Sequence, residues 1–348
     1  MTKSYTAINW NALEDEIDKA TWEKLTEQFW LDTRIPLSND LSDWREFNED
    51  DKDVVGKVFG GLTLLDTLQS QDGMSSLKKD VRTQHEEAVM NNIEFMESVH
   101  AKSYSSIFST LNTPKEIEEI FDWTNSNEIL QYKANRINEI YQNGSPLQKK
   151  VASVFLETFL FYSGFYTPLY WLGHNKLANV AEIIKLILRD ESVHGTYIGY
   201  KFQLGFNELS DDEQEEFTSW MYDLLYELYE NEEKYTHLLY DKVGWTDDVL
   251  VFLRYNANKA LMNLGMDPLF ADGYAQNVNP VVMNGISTST SNHDFFSQVG
   301  NGYLLGDVEA MEDSDYLFNY DDNSDKYIKI SSSIDLKIDE DIFYTILN

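Results

Sequence analysis

The stretch ESVHAKSY, Glu97 to Tyr104, lies inside EEAVMNNIEFMESVHAKSYSSIFSTL, which reads as one continuous helix. Glu97, His100 and Tyr104 are three and four residues apart, so they share one helix face. Ile93, Ile107, Phe108 and Leu111 fall on that face too. A carboxylate, an imidazole and a phenol are therefore aimed into the apolar side of their own helix. Something must offset the cost of putting them there.

Counting faces along the chain finds the same pattern three more times. Asp66 shares a face with Val55, Phe59 and Leu62, and Glu157 with Val154, Phe161 and Phe165. Glu191 and His194 share one with Ile184, Ile187 and Ile198. One Glu-x-x-His alone is commonplace on a solvated helix, and Asp66 alone reads as a hydrogen-bonded core acid. Two copies interleaved with two single buried acids form a far more specific pattern. Each ionised carboxylate left alone in a core costs several kcal/mol, and four such losses rival the stability of a whole domain. Two divalent ions balance four carboxylates, and two imidazoles complete the ligand set. The expected fold is all-α, a ferritin-like helical bundle with a dinuclear metal site in its core. Oxygen-rich donors with one imidazole per ion suit iron or manganese.

Composition narrows the rest. The chain has 348 residues, only 6 prolines and 17 glycines, which suits long helices. A formal net charge of −33 repels phosphate backbones and anionic lipid, so nucleic-acid and membrane-surface roles are not expected. Cysteine is absent, which removes disulfides, thiolate nucleophiles and sulfur-bound metal sites. No apolar run approaches the ~20 residues that span a bilayer, and the first residues lack the apolar core of a signal peptide. A cytoplasmic location is expected. His85, His174, His237 and His293 lack the apolar, acid-paired setting and read as surface or satisfied core histidines.

Helical spacing runs from about residue 51 to 265, after ~50 residues of short elements and loops. Single helices are expected over 51–72, 80–111 and, after Ser145-Pro146, through VFLETFLFYSGFY. Residues 1–285 read as the helical domain. Residues 286–320 are polar and acidic and read as a mobile tail, and 321–348 form an extension whose final stretch alternates like strand.

Several motifs together resemble the radical-bearing small subunit of class I ribonucleotide reductase, most closely class Ib: QFWL at 28–31, LTLLDT at 62–67, ESVHAKSYS at 97–105, VFLETFLFYSGFY at 154–166 and RDESVHG at 189–195. The similarity covers roughly residues 8–320. It implies that Asp66, Glu97, His100, Glu157, Glu191 and His194 hold two iron or manganese ions. Tyr104 stands ~6 Å beyond His100 at about 1.5 Å per residue. Taken alone it reads as an ordinary core tyrosine; the resemblance makes it the phenol oxidised to a stable tyrosyl radical. Phe161, Phe165 and Ile187 match the apolar pocket around it. Trp30 matches the relay tryptophan, and Asp190 the acid linking it to His100. Tyr303, with Tyr316 and Tyr320 also in the tail, is the candidate that passes oxidation onward.

The family also implies a homodimer, a separate large subunit that binds the ribonucleotide, and a flavodoxin-like activator. The acidic-aromatic VEAMEDSDYLFNY matches the segment that docks on the large subunit. The family usually ends near DSDYLF, whereas this chain continues about 28 residues past Tyr320. A ferritin-like metal-storage protein and a di-metal oxidase are the competing readings. The first needs neither Trp30 nor Tyr104, and the second needs a substrate channel beside the metals.

Overall fold

The computed structural model describes residues 5–286. Among them every regular element is helical: α1 Glu16–Glu27, α2 Leu41–Glu46, α3 Glu49–Leu68, α4 Met74–Leu77, α5 Gln84–Leu111, α6 Pro114–Ser126, α7 Glu128–Asn143, α8 Pro146–Phe155, α9 Tyr162–Gly173, α10 Ala178–Phe206, α11 Asp211–Tyr240, α12 Thr246–Asn263, α13 Asp272–Ala275 and α14 Pro280–Ile286. Tyr303, the acidic segment to residue 320, the 321–348 extension and His293 lie outside the described residues.

Local chemistry sets most helix starts. The Thr83 side chain accepts from the Glu86 amide and opens α5. Reciprocal capping boxes open α6 (Thr113 with Glu116), α8 (Ser145 with Gln148) and α11 (Ser210 with Glu213), and proline follows the first two caps. The long α10 starts differently. Leu177 before it is left-handed, with φ of 51°, and has no capping side chain. Instead Asp40 accepts from the amides of Asn179 and Val180, and Asp43 from that of Leu177. Acids from a distant part of the chain, Asp43 on α2 and Asp40 just before it, thus satisfy the exposed N–H groups and meet the positive end of the helix dipole.

The core is built from α3, α5, the α8–α9 rod and α10, with α12 packed against the rod. Two of these rods depart from the simple helices expected. α3 runs into a π turn at Gln69–Gly73, and α8 passes into α9 through a second π turn at Leu156–Leu160, which carries Glu157. A π turn inserts one residue and rotates the following face, a distortion that recurs at functional sites. The N-terminal region is also more regular than expected, since α1 extends over 12 residues and packs on α5.

Candidate metal centre

α3 contributes Asp66, α5 Glu97 and His100, the π turn before α9 Glu157, and α10 Glu191 and His194. All six side chains are essentially sealed from solvent. They form two overlapping groups, Asp66–Glu97–His100–Glu191 and Glu97–Glu157–Glu191–His194, each with ligand atoms within 4.8 Å of one another. Glu97 and Glu191 belong to both groups. Glu97 turns Oε2 toward His100 Nδ1 at 3.5 Å and Oε1 toward His194 Nδ1 at 2.8 Å. Glu191 turns Oε1 toward His100 Nδ1 at 3.1 Å and Oε2 toward His194 Nδ1 at 3.4 Å. Asp66 serves one end and Glu157 the other. Two neighbouring ions, with two shared carboxylates and one terminal carboxylate and imidazole each, would fit this layout.

The donor set fits such ions. Both oxygens of Asp66, Glu97 and Glu191, Oε2 of Glu157 and Nδ1 of both histidines are buried without a hydrogen-bond partner. Buried polar atoms are rarely left unpaired, and here the unpaired ones converge. Oxygen and imidazole donors with no thiolate favour iron or manganese. Burial, and then neighbouring acids, push Asp66 and Glu157 well above the usual carboxylate range. Burial disfavours charge on His100 and His194 as well, but the surrounding carboxylates win and raise both. Glu191 lies below its usual range because contacts with Glu157, His100 and His194 outweigh its burial. Positive charge would complete this cluster, and metal ions bound there would supply it in place of protons.

The surroundings of the two ends differ. Near Asp66, His100 Nε2 lies 3.1 Å from Asp190 Oδ2, and Trp30 Nε1 donates to the same oxygen at 2.7 Å. The Trp30 ring stacks on His100 at 5.8 Å. Near Glu157, the Gln69 side-chain amide donates to Glu157 Oε1 and, at 2.8 Å, to Ser153 Oγ. Tyr141 fixes that amide by donating its hydroxyl to Gln69 Oε1 at 2.6 Å.

Tyr104 is fully buried, and its hydroxyl has no hydrogen-bond partner. Burial, followed by the charges of Asp66 and Glu191, pushes its pKa well above the usual phenol value. Phe161, Phe165 and Ile187 are fully buried as well. The aromatic ring stacked on Tyr104 is that of Phe59, at 5.8 Å. Sequence reasoning put Phe59 only on the Asp66 face. It also missed Gln69, Ser153 and Tyr141. Gln69 left a signal, three residues past Asp66 on the same face, and so did Ser153, four residues before Glu157; Tyr141 left none.

The remaining described histidines have ordinary roles. His85 Nε2 lies 3.1 Å from the Asn9 carbonyl, His174 bonds the Tyr170 carbonyl, and His237 pairs with Asp241. No helix among the described residues is long and apolar enough to cross a membrane.

Comparison with known proteins agrees with this geometry. Residues 7–280 match the family model described as ribonucleotide reductase, small chain. The chain is 52% identical over 314 residues to a Mycobacterium leprae protein named ribonucleoside-diphosphate reductase subunit beta, covering 90% of this chain and 96% of that one. It is 50% identical to ribonucleoside-diphosphate reductase 2 subunit beta of Escherichia coli, covering 90% and 98%. A crystal structure of Streptococcus sanguinis dimanganese(II)-NrdF superposes with a TM-score of 0.80 at 77% identity, covering 82% of this chain and all of that one.

Proposed function

The chain belongs to the small-chain family of ribonucleotide reductases, and from that premise we propose which of its residues do the work. Its function is that of the beta subunit of ribonucleoside-diphosphate reductase, an oxidoreductase component that acts with a large subunit in making deoxyribonucleotides for DNA synthesis. In the proposal Asp66, Glu97, His100, Glu157, Glu191 and His194 hold two iron or manganese ions. Those ions, when bound and activated, supply the oxidising power that removes one electron and one proton from the Tyr104 hydroxyl.

The chain's own residues protect and use that change. A tyrosine phenol is neutral at neutral pH, so its oxidation to a tyrosyl radical releases a proton as well as an electron. Phe59 stacks on its ring, and Phe161, Phe165 and Ile187 complete a dry apolar setting in which a tyrosyl radical is shielded from reductants. Asp190 orients the two rings of the exit route. It accepts from Trp30, and from His100 Nε2 in the tautomer that leaves Nδ1 free for a metal. An electron entering through Trp30 and its hydrogen-bonded partners restores Tyr104 as oxidation passes outward. The observation that carries the reading is this chain of contacts, Trp30 to Asp190 to His100, ending on the carboxylate cluster. A storage protein or a simple oxidase has no use for it.

The proposal has further parts. Residues 286–320 dock on the large subunit, and Tyr303 hands oxidation across. The protein acts in the cytoplasm as a homodimer. A flavodoxin-like partner activates it when the metal is manganese, a choice supported by the dimanganese state of the Streptococcus relative. The test is electron paramagnetic resonance of protein loaded with iron or manganese and oxidised. A tyrosyl signal that disappears in Tyr104→Phe is expected. A signal that persists in that variant overturns the assignment.

A further inference from the structure

Trp30 occupies an unusual place for a residue whose position must be kept. It follows the end of α1 in a stretch without regular secondary structure, so no helical ladder fixes it. It is nevertheless 94% buried at the side of His100, since its exposure is 6%. Backbone hydrogen bonds shape its flanks locally, Gln28 and Phe29 to the end of α1 and Arg34 to the Leu31 carbonyl in a short 3-10 turn at Asp32–Arg34, and side-chain ties from the two flanks hold it to the neighbouring helices. On one flank, Arg189 Nη2 on α10 donates to the Gln28 carbonyl at 2.5 Å. On the other, Asp32 turns its carboxylate inward, 2% exposed, and meets α5. Lys102 Nζ donates to Asp32 Oδ2 at 2.5 Å, and Ser106 Oγ donates to the same oxygen. Lys102 and Ser106 are four residues apart on α5 and flank Tyr104 in sequence.

We propose that Asp32 is a positioning residue for the Trp30 relay: its carboxylate clamps the relay loop to the helix that carries Glu97, His100 and Tyr104. The inference rests on Trp30 being the relay. The chemistry suits a clamp. Lys102 reaches in from a side chain that is 56% exposed, so its charge keeps much of its hydration while the acceptor is held in a buried position. Two charge-assisted or hydroxyl donors on one oxygen fix direction as well as distance. Asp32 follows Trp30 by two residues, so a shift at Asp32 is transmitted directly to the indole. Transfer through a hydrogen-bonded chain demands geometry held to a fraction of an ångström, and a misplacement of about 1 Å can cost ~100-fold in rate.

The experiment uses the full-length, metal-loaded protein with its large subunit and compares Asp32→Ala, Asp32→Asn and Trp30→Phe. Metal content, Tyr104 radical yield, kcat and the large-subunit concentration giving half-maximal rate are measured for each. Asp32→Ala is expected to keep metals, radical yield and half-saturation while kcat falls by ~10–100-fold. Asp32→Asn retains an oxygen acceptor and is expected to recover most of kcat. Full kcat in Asp32→Ala, with Trp30→Phe inactive, overturns the clamp and leaves the relay reading standing. Loss of metals or radical in proportion to kcat also overturns it, since Asp32 would then serve the fold. Full activity in Trp30→Phe removes the relay reading, and the clamp with it.

Discussion

The two imidazoles of the centre come from copies of one motif, Glu-x-x-His, yet the structure treats them differently. His100 Nε2 reaches Asp190, and through it Trp30. His194 Nε2 is buried with no hydrogen-bond partner. The register explains part of the contrast. Asp190 immediately precedes Glu191 in the second copy and serves the histidine of the first. The residue preceding Glu97 in the first copy is Met96, a buried thioether that offers no comparable acceptor. The far end is instead braced at its carboxylate, where Gln69, held by Tyr141, grips Glu157. In the proposed function one end of the centre is thus wired outward and the other is held in place. Near-symmetric ligands do not imply symmetric work.

The strongest way to break this contrast is to remove the group that the wired end is proposed to serve. Tyr104→Phe deletes only the hydroxyl, which bonds nothing in the structure. Fold and metal content should survive, and nucleotide reduction should fall to background. Retained turnover with the large subunit would refute the assignment. Next comes Asp190→Ala, which leaves two buried N–H donors without their acceptor at a cost of ~1–3 kcal/mol each. Metals should still bind, because none of the ligands is removed. Turnover should drop ~10–100-fold or more, in the range expected when a partner of a metal-bound histidine is lost. If loss of turnover merely followed loss of metal, Asp190 would be a brace like Gln69, and the contrast would disappear.

Much of the centre was readable from the chain because a helix writes its buried face into the spacing of its residues. Asp66, Glu97, His100, Glu157, Glu191 and His194 each announced themselves as polar groups on apolar stripes. The wire was a different matter. Trp30 lies in an irregular stretch 160 residues from Asp190, and no periodicity links them; only the likeness to a known family did. The π turns were invisible too. LETFL has nothing that rules out a plain α-helix, so its spacing alone does not mark the extra residue. The caps of α10 were invisible as well, because Asp40 and Asp43 belong to another part of the chain.

The braced end offers the finer tests. Gln69→Leu preserves bulk but removes both the amide that grips Glu157 and the acceptor for Tyr141. The expected result is ~10-fold weaker metal binding, measured by anaerobic manganese titration. Turnover at saturating metal should change little, since Trp30, Asp190 and His100 are untouched.

Ser153→Ala should do the same thing on a smaller scale. Ser153 is fully buried and accepts from Gln69 Nε2 at 2.8 Å. Removing its hydroxyl forfeits one neutral hydrogen bond, worth ~0.5–1.5 kcal/mol net. Most of that loss should appear as a lower melting temperature of the metal-free protein. Little should reach the metals, because Gln69 keeps its other three anchors: Tyr141 still donates to Oε1, and Nε2 still reaches Glu157 and Met74 Sδ. Manganese affinity should therefore weaken by less than ~3-fold, or about 0.7 kcal/mol at ~1.4 kcal/mol per tenfold change. Titration of Ser153→Ala beside Gln69→Leu decides the point. Equal weakening in the two would mean that Ser153, not the Tyr141-held amide, governs Glu157. A fall in turnover with metals and radical intact would mean that the braced end acts on the wired one, and the division between them would fail.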